Sequence, residues 1–170
     1  MIQRLLELDA GGSRRLGIAE RPGLVRSLAA FLAHSGDSWF WLIGLALVWL
    51  LGTAYWRERA IILAAGILVT AVLVLAIKFT VRRRRPEGKW GNIYRSTDPH
   101  SFPSGHAARA FLLAVLAASL GPAWLGAVLW LWAPLVTLAR VAMGVHYLSD
   151  VLAGALLGVF MGLLVFRLFY

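Results

Sequence analysis

Cysteine is absent from the 170 residues, which removes disulfide frameworks, thiolate nucleophiles and Cys-ligated zinc or iron–sulfur centres. Charge is scarce too. Only 15% of residues are Asp, Glu, Lys or Arg, against about 25% in an average soluble domain. Acids are the scarcer part, 8 against 17 basic residues, so the chain carries +9 at pH 7. Met1–Glu20 is polar and charged and lacks the apolar stretch of a cleaved leader. No internal repeat is visible, and the composition excludes intrinsic disorder and collagen-like structure. What fills the chain is apolar: 60% hydrophobic residues and a mean hydropathy of +0.75. That balance describes an integral membrane protein, and the length describes a single domain, 1–170.

A bilayer core about 30 Å thick needs about 20 apolar helical residues to cross it. Ser38–Trp56 and Ala60–Ile77 are uncharged runs of that kind. Ala110–Ala139 is too long for one crossing, and Gly121-Pro122 inside it reads as a helix stop followed by a first-turn proline. Val151–Phe166 is the last run, with Arg167 able to snorkel. The expected fold is therefore all-α, a polytopic membrane helix bundle of five spans over 38–170. The polar segment 1–37 precedes it and contains an amphipathic helix, Pro22–Ala33, lying at the interface or partly embedded. Counting crossings places the N-terminus, the long polar loop Arg82–Ser104 and the Met143–Ser149 turn on one face, and Arg57-Glu58-Arg59 with the C-terminus on the other.

Three clusters on the first face carry chemistry. Lys78 closes the second run, and Arg82-Arg83-Arg84-Arg85-Pro86 follows. Such a group is either a charge anchor or a phosphate clamp, since Arg forks grip phosphate oxygens and Lys adds a point charge. Ser104 is a good N-cap for the third run. Gly105 lets a backbone come close to an anion at a helix N-terminus, and His106 falls in the first turn. Arg140, His146 and Asp150 bracket the junction before the last run, with His146 and Asp150 spaced i, i+4. Each cluster alone has a structural explanation. Together, cations and amides bind a phosphoryl group, one His attacks phosphorus, and the other protonates the leaving alkoxide. The design requires no metal or other cofactor, and the acids outside Asp150 are too scattered along the chain to suggest a two-metal carboxylate site.

Lys78-x6-Arg85-Pro86, Pro103-Ser104-Gly105-His106 and Arg140-x5-His146-x3-Asp150 resemble, in order and spacing, the three motifs of the type 2 phosphatidic acid phosphatase family. These lipid phosphate phosphatases share their phosphate site with vanadium haloperoxidases. The resemblance implies that His146 is the nucleophile that becomes a phosphohistidine, that Asp150 orients it, and that His106 is the general acid. It implies a phosphate cradle of Lys78, Arg85, Ser104, Gly105 and Arg140. The third motif departs from the usual Ser-Arg start, since Ala139 precedes Arg140, which removes one hydroxyl and no charged group. The family core usually has six helices, and Pro22–Ala33 is the candidate for the sixth.

The expected function is hydrolysis of a phosphomonoester or pyrophosphate on a lipid. The alternatives are a non-catalytic lipid-phosphate binder or transporter, which would not need His146 with Asp150, and a vanadate-dependent peroxidase, against which the apolar runs argue. No soluble basic face remains for nucleic acid once the spans are placed. The partners are thus the substrate and membrane lipids. Gly154, Gly158 and Gly162 could pack helices within the chain or between copies in a homo-oligomer. On the site face lie 14 of the 17 basic residues, and 11 once Lys78, Arg85 and Arg140 are set aside as ligands, against Arg57, Arg59 and Arg167 opposite. The positive-inside rule then predicts a cytoplasmic active site. Loop residues Arg83, Lys89, Trp90, Tyr94, Arg95 and His100 are candidates for reading the head group. Phosphatidic acid, phosphatidylglycerol phosphate, a polyprenyl pyrophosphate and a polyprenyl-linked sugar phosphate all remain possible substrates.

Overall fold

The computed structural model describes residues 2–20, 22–88, 90 and 98–170. Among them the chain folds as α1 (Ile2–Arg15), α2 (Leu24–Ser35), α3 (Ser38–Leu51), α4 (Ala54–Val81), α5 (Gly105–Leu120), α6 (Ala123–Ala142) and α7 (Leu148–Phe169). The all-α class is as expected, and Gly121-Pro122 does separate two helices. The count of five spans is not. Three helices, α4, α6 and α7, are long and apolar enough to cross a bilayer, and a fourth crossing results only if α2 and α3, bent by 58°, form one broken span. The uncharged run 38–56 is interrupted at Gly52, whose N–H caps α3 on the Val48 carbonyl at 2.8 Å, so α3 has 14 residues. The next helix then begins at Ala54, which puts Arg57-Glu58-Arg59 in its first turns rather than in a loop. α5 has 16 residues between its Ser104 cap and Gly121, about 24 Å of rise.

This short helix is the centre of the bundle. Ala107, Ala108, Ala110, Leu112, Leu113, Ala114 and Leu116 are all fully buried, an apolar surface on nearly every side rather than a stripe, as a helix enclosed by others must have. Ile67 of α4, Ala133 and Val136 of α6, and Met161 and Val165 of α7 complete the core. The outer faces of the surrounding helices carry large apolar side chains instead, among them Val72, Leu131, Leu152 and Leu156, each more than half exposed. In water such a surface would be a liability; in lipid it is the solvated face.

α7 approaches α5 through Gly154, Gly158 and Gly162. A Cβ at Gly154 or Gly158 would fall on the Ser104 or Ala108 carbonyl, and one at Gly162 would lie 2.7 Å from Val115 Cβ. The glycine stripe therefore packs helices inside this chain, at backbone distance. α2 forms where the amphipathic helix was expected. It buries Ala29 and Ala33 against Ala139 and Met143, while Leu24, Val25 and Phe31 stay exposed.

The N-terminal helix α1 lies outside the sequence expectation, because 2–15 has no uninterrupted apolar face. Its polar residues hold it. Asp9 Oδ1 accepts the Ser149 N–H at 3.0 Å and Ser13 Oγ accepts the Leu148 N–H at 2.9 Å. These are two of the amides that the first turn of α7 leaves without intrahelical partners, so α1 caps α7 from more than 130 residues away in the chain. At the opposite end, Tyr55 Oη and Arg59 Nε donate to the Leu120 carbonyl and fix the C-terminus of α5.

Replacing Gly158 by Leu is expected to destabilise the fold by about 3 kcal/mol or more, since the added atoms meet backbone that cannot move aside. Leu156→Ala, on the exposed face of the same helix, should change stability by less than about 1 kcal/mol. Thermal unfolding in detergent, followed by size-exclusion chromatography, distinguishes the two.

Candidate active site

The C-terminus of α4, the N-terminus of α5, the C-terminus of α6 and the N-terminus of α7 meet at one end of the bundle. Ser104 N–H donates to the Asp150 carbonyl at 2.9 Å, which joins the second sequence cluster directly to the third. The bend between α2 and α3 and the docked helix α1 close the same end. Here the structure brings together all eight residues singled out from the sequence. Lys78, Arg85, Arg140, His146 and Asp150 are 3%, 2%, 1%, 1% and 0% exposed, an unusual concentration of buried charge.

The cations are held by oxygen acceptors. Arg85 donates from Nη1 to the Val145 carbonyl at 2.8 Å and from Nε to the Asp98 carbonyl at 2.7 Å. Its Nη2 contacts Asp98 Oδ2 at 2.7 Å, and the same carboxylate oxygen takes Lys78 Nζ, which also donates to the His100 carbonyl at 2.9 Å. Arg140 Nη1 reaches the Ala33 carbonyl at 3.5 Å. Asp98 thus supplies the negative charge on which Lys78 and Arg85 converge.

The histidines sit on either side of this group. His146 Nε2 lies 3.2 Å from Arg85 Nη1. A guanidinium can only donate, so in the neutral ring Nε2 carries the lone pair and Nδ1 the proton. Nδ1 lies 3.5 Å from Asp150 Oδ2, slightly beyond a hydrogen bond, as such pairs often are before substrate tightens them. Asp150 is itself fixed from both sides: Oδ2 accepts the Tyr147 N–H at 2.9 Å and Oδ1 accepts Arg83 Nη1 at 2.7 Å. Burial pushes the His146 imidazole well below its ordinary range, and the charges of Arg85, Arg140 and Lys78 push it the same way. The lone pair on Nε2 is therefore available at neutral pH, facing the cations. On the other side, His106 Nε2 is 2.6 Å from Asp37 Oδ1. Ser104 Oγ accepts the Ala107 N–H at 3.4 Å, and the first-turn amides of Gly105 and His106 have no carbonyl four residues back within the helix.

Two cavities meet at His146. One of about 1000 Å³ runs between α1 and the polar loop, lined by Arg14, Glu20, Arg84, Trp90 and Tyr147 among others. The other, about 230 Å³, lies against α4 and is lined by Ile67, Val74 and Leu75 as well as Lys78, His106 and His146. Two approaches thus reach the same imidazole.

Three residues at this end of the bundle escaped the sequence reading. Asp9, Asp37 and Asp98 are, with Asp150, four of the eight acids in the chain; scattered along the sequence, they are gathered in space, each against a cation or a histidine. The signal that could have found them is their rarity. Arg83, read as a head-group contact, instead pairs with Asp150 and Asp9, donates to Ser149 Oγ at 2.6 Å and lies 4.0 Å from the Tyr147 ring centre. His100 meets Phe79 edge-on with ring centres 5.5 Å apart. Trp90 lines the larger cavity, and Lys89, Tyr94 and Arg95 fall outside the described residues.

Comparison with known proteins finds three kinds of likeness. The pattern of the PAP2 superfamily matches residues 59–170. A decaprenylphosphoryl-5-phosphoribose phosphatase of Mycobacterium tuberculosis is 34% identical over 150 residues, covering 87% of this chain and 82% of its own. The crystal structure of Aquifex aeolicus LpxE superimposes with a TM-score of 0.74 at 27% identity, covering 95% of this chain and 94% of that one. A transmembrane PAP2-type phosphatidylglycerolphosphate phosphatase from Bacillus subtilis has the same fold, with a TM-score of 0.78 at 21% identity over 97% of this chain and 86% of its own.

The state of His146 has a consequence for stability. Its proton affinity is lower in the folded protein than in the unfolded chain, so the unfolded chain takes up more protons as pH falls below about 6.5. Stability contributed by the neutral ring is present above that pH and is lost below it. The thermal midpoint in detergent should therefore drop between pH 7 and pH 5, and the drop should be smaller in His146→Gln.

Proposed function

We propose that this chain, which belongs to the PAP2 superfamily and is a membrane hydrolase of lipid-linked phosphates, works through a phosphohistidine on His146. The observation that carries the assignment is the polarity of that ring: Nε2 directs its lone pair at Arg85, 3.2 Å away, where a bound phosphate would take over the guanidinium, and Nδ1 faces Asp150. In this reading the substrate phosphate takes over the cations now held by Asp98. Lys78, Arg85 and Arg140 hold its equatorial oxygens, with the Ser104 hydroxyl and the amides at the α5 N-terminus beside them. Three cations and a helix N-terminus concentrate on the oxygens where charge accumulates in the transition state.

His146 Nε2 attacks phosphorus in line while the bond to the lipid alcohol breaks, and His106 gives a proton to the departing alkoxide. The Nδ1 proton stays between His146 and Asp150, whose carboxylate stabilises the charge that develops on the ring, as in a hydrolase triad. Water then attacks the phosphohistidine, giving its proton to His106 and returning both histidines to their first state. The cleft along α4, with Ile67, Ala71, Val74 and Leu75 on one wall, receives the start of the lipid chain, since it adjoins both His106 and His146. The larger cavity admits water or the rest of a head group.

The substrate is a phosphomonoester or pyrophosphate on a lipid, and the likeness to a decaprenyl-linked phosphatase favours polyprenyl-linked phosphates as the first class to test. The site faces the cytoplasm, a reading supported by the excess of basic residues on its side.

Phosphate release in detergent, measured with chelator present on a panel of lipid phosphates, should persist in the wild type and fall on the order of 10⁴-fold or more in His146→Ala. Binding of the same lipids without release from any of them would favour the binder or transporter reading. Orientation is tested by placing single cysteines in a chain that has none. In intact cells a membrane-impermeant maleimide should label Tyr170→Cys and spare Glu7→Cys.

A further inference from the structure

The mechanism above leaves one close contact of its own site unused. Asp37, in the bend between α2 and α3, places Oδ1 at 2.6 Å from His106 Nε2, and its other oxygen lies 3.4 Å from His34 Nδ1. Asp37 precedes the residues matched by the family pattern, 59–170, so that pattern gives it no role.

The contact is built rather than incidental. Trp41 Nε1 donates to the Ser35 carbonyl at 3.0 Å, and Trp132 Nε1 donates to Ser35 Oγ at 2.9 Å. Arg109 donates to the Gly36 carbonyl. At Gly36 the bend comes so near that a Cβ would lie 3.0 Å from Val136 Cγ1 and 3.2 Å from His106 Cδ2. Donors from three helices, α3, α5 and α6, therefore fix the turn that carries Asp37. The His106 ring is held with its Cδ2–Nε2 edge against the turn, and its Nδ1 is on the opposite side. Among the described residues Nδ1 makes no hydrogen bond, and the ring lines the cleft that Lys78 and His146 also line.

We propose that Asp37 is a positioning residue for the His106 general acid; this rests on the role given to His106 above. A carboxylate can only accept, so it makes Nε2 the nitrogen that keeps its proton and Nδ1 the one that exchanges it. In the acid form both nitrogens carry protons. Nδ1–H passes its proton to the alkoxide oxygen as the P–O bond breaks, and the neutral ring left behind retains Nε2–H on Asp37. Asp37 also balances the charge of the imidazolium beside Arg109 and Arg140, where an unpaired cation would be disfavoured. The α2–α3 bend thereby becomes part of the reaction site.

The test compares kcat/KM, which reports the steps up to phosphoenzyme formation, on two soluble probes. Dodecyl phosphate releases an alkoxide that needs a proton; 4-nitrophenyl phosphate releases a phenolate that does not. His106→Ala should lose about 100-fold or more on the alkyl ester and only a few-fold on the aryl ester, within the usual range for general acid catalysis. Asp37→Asn should show the same selectivity in smaller measure, about 10-fold or more against a few-fold at most, with Asp37→Glu restoring part of the alkyl activity. In the His106→Ala background, Asp37→Asn should have no further effect on the alkyl ester. Equal losses on both probes in Asp37→Asn, or no loss on either, overturn the proposal while leaving His106 its role if His106→Ala remains selective. A His106→Ala variant that loses both probes equally removes the general-acid reading itself and the role of Asp37 with it. Thermal unfolding of each variant separates loss of fold from loss of selectivity.

Discussion

Three cations buried at one end of an apolar bundle are the constraint around which the rest is arranged. Lys78, Arg85 and Arg140 are almost fully removed from solvent, and a cation in that position is tolerated only with compensating charge and oxygen acceptors around it. Backbone carbonyls of Val145, Asp98, His100 and Ala33 turn toward them, and the Asp98 carboxylate bridges two of them. Burial disfavours protonation of His146, and the same positive field adds to it. In the proposed mechanism that field also receives the substrate phosphate.

That field needs a rigid frame, and the α5–α7 contact is the frame. Because Gly154 and Gly158 let the two backbones touch, the Ser104 amide reaches the Asp150 carbonyl. The start of α5 and Asp150 are then fixed relative to each other. α1 adds a second restraint by capping α7 just before Asp150. Arg83 connects the two, joining Asp9 of α1 to Asp150.

The convergence of the eight candidate residues was largely legible in the sequence because they sit at helix ends, where spacing translates directly into position. His146 and Asp150 are four apart at the start of α7, and Ser104, Gly105 and His106 open α5. The partners were less legible. Asp37, Asp98 and Asp9 act across 69, 20 and 140 residues of chain, and no local period announces such contacts. Span counting failed for a different reason. Apolar composition measures what a segment can be dissolved in, not how far it runs as one helix. Gly52 divides one uncharged run, and α5 is enclosed by neighbours rather than by lipid, so its apolar residues answer to protein packing. The short helix α1 was missed because its stability comes from two polar side chains docked on another helix.

The shortness of α5 also sets a depth. Its 16 residues rise about 24 Å, against a hydrocarbon layer of about 30 Å, while α4 beside it has 28 residues. Leu120 is tied to Tyr55 and Arg59 near the start of α4, and Gly105 at the other end of α5 lies beside Val74, so α4 continues for about 10 Å past the start of α5. The chamber at the α5 N-terminus is therefore recessed behind the last turns of its longest neighbour, and whatever enters it must pass those turns and shed water on the way.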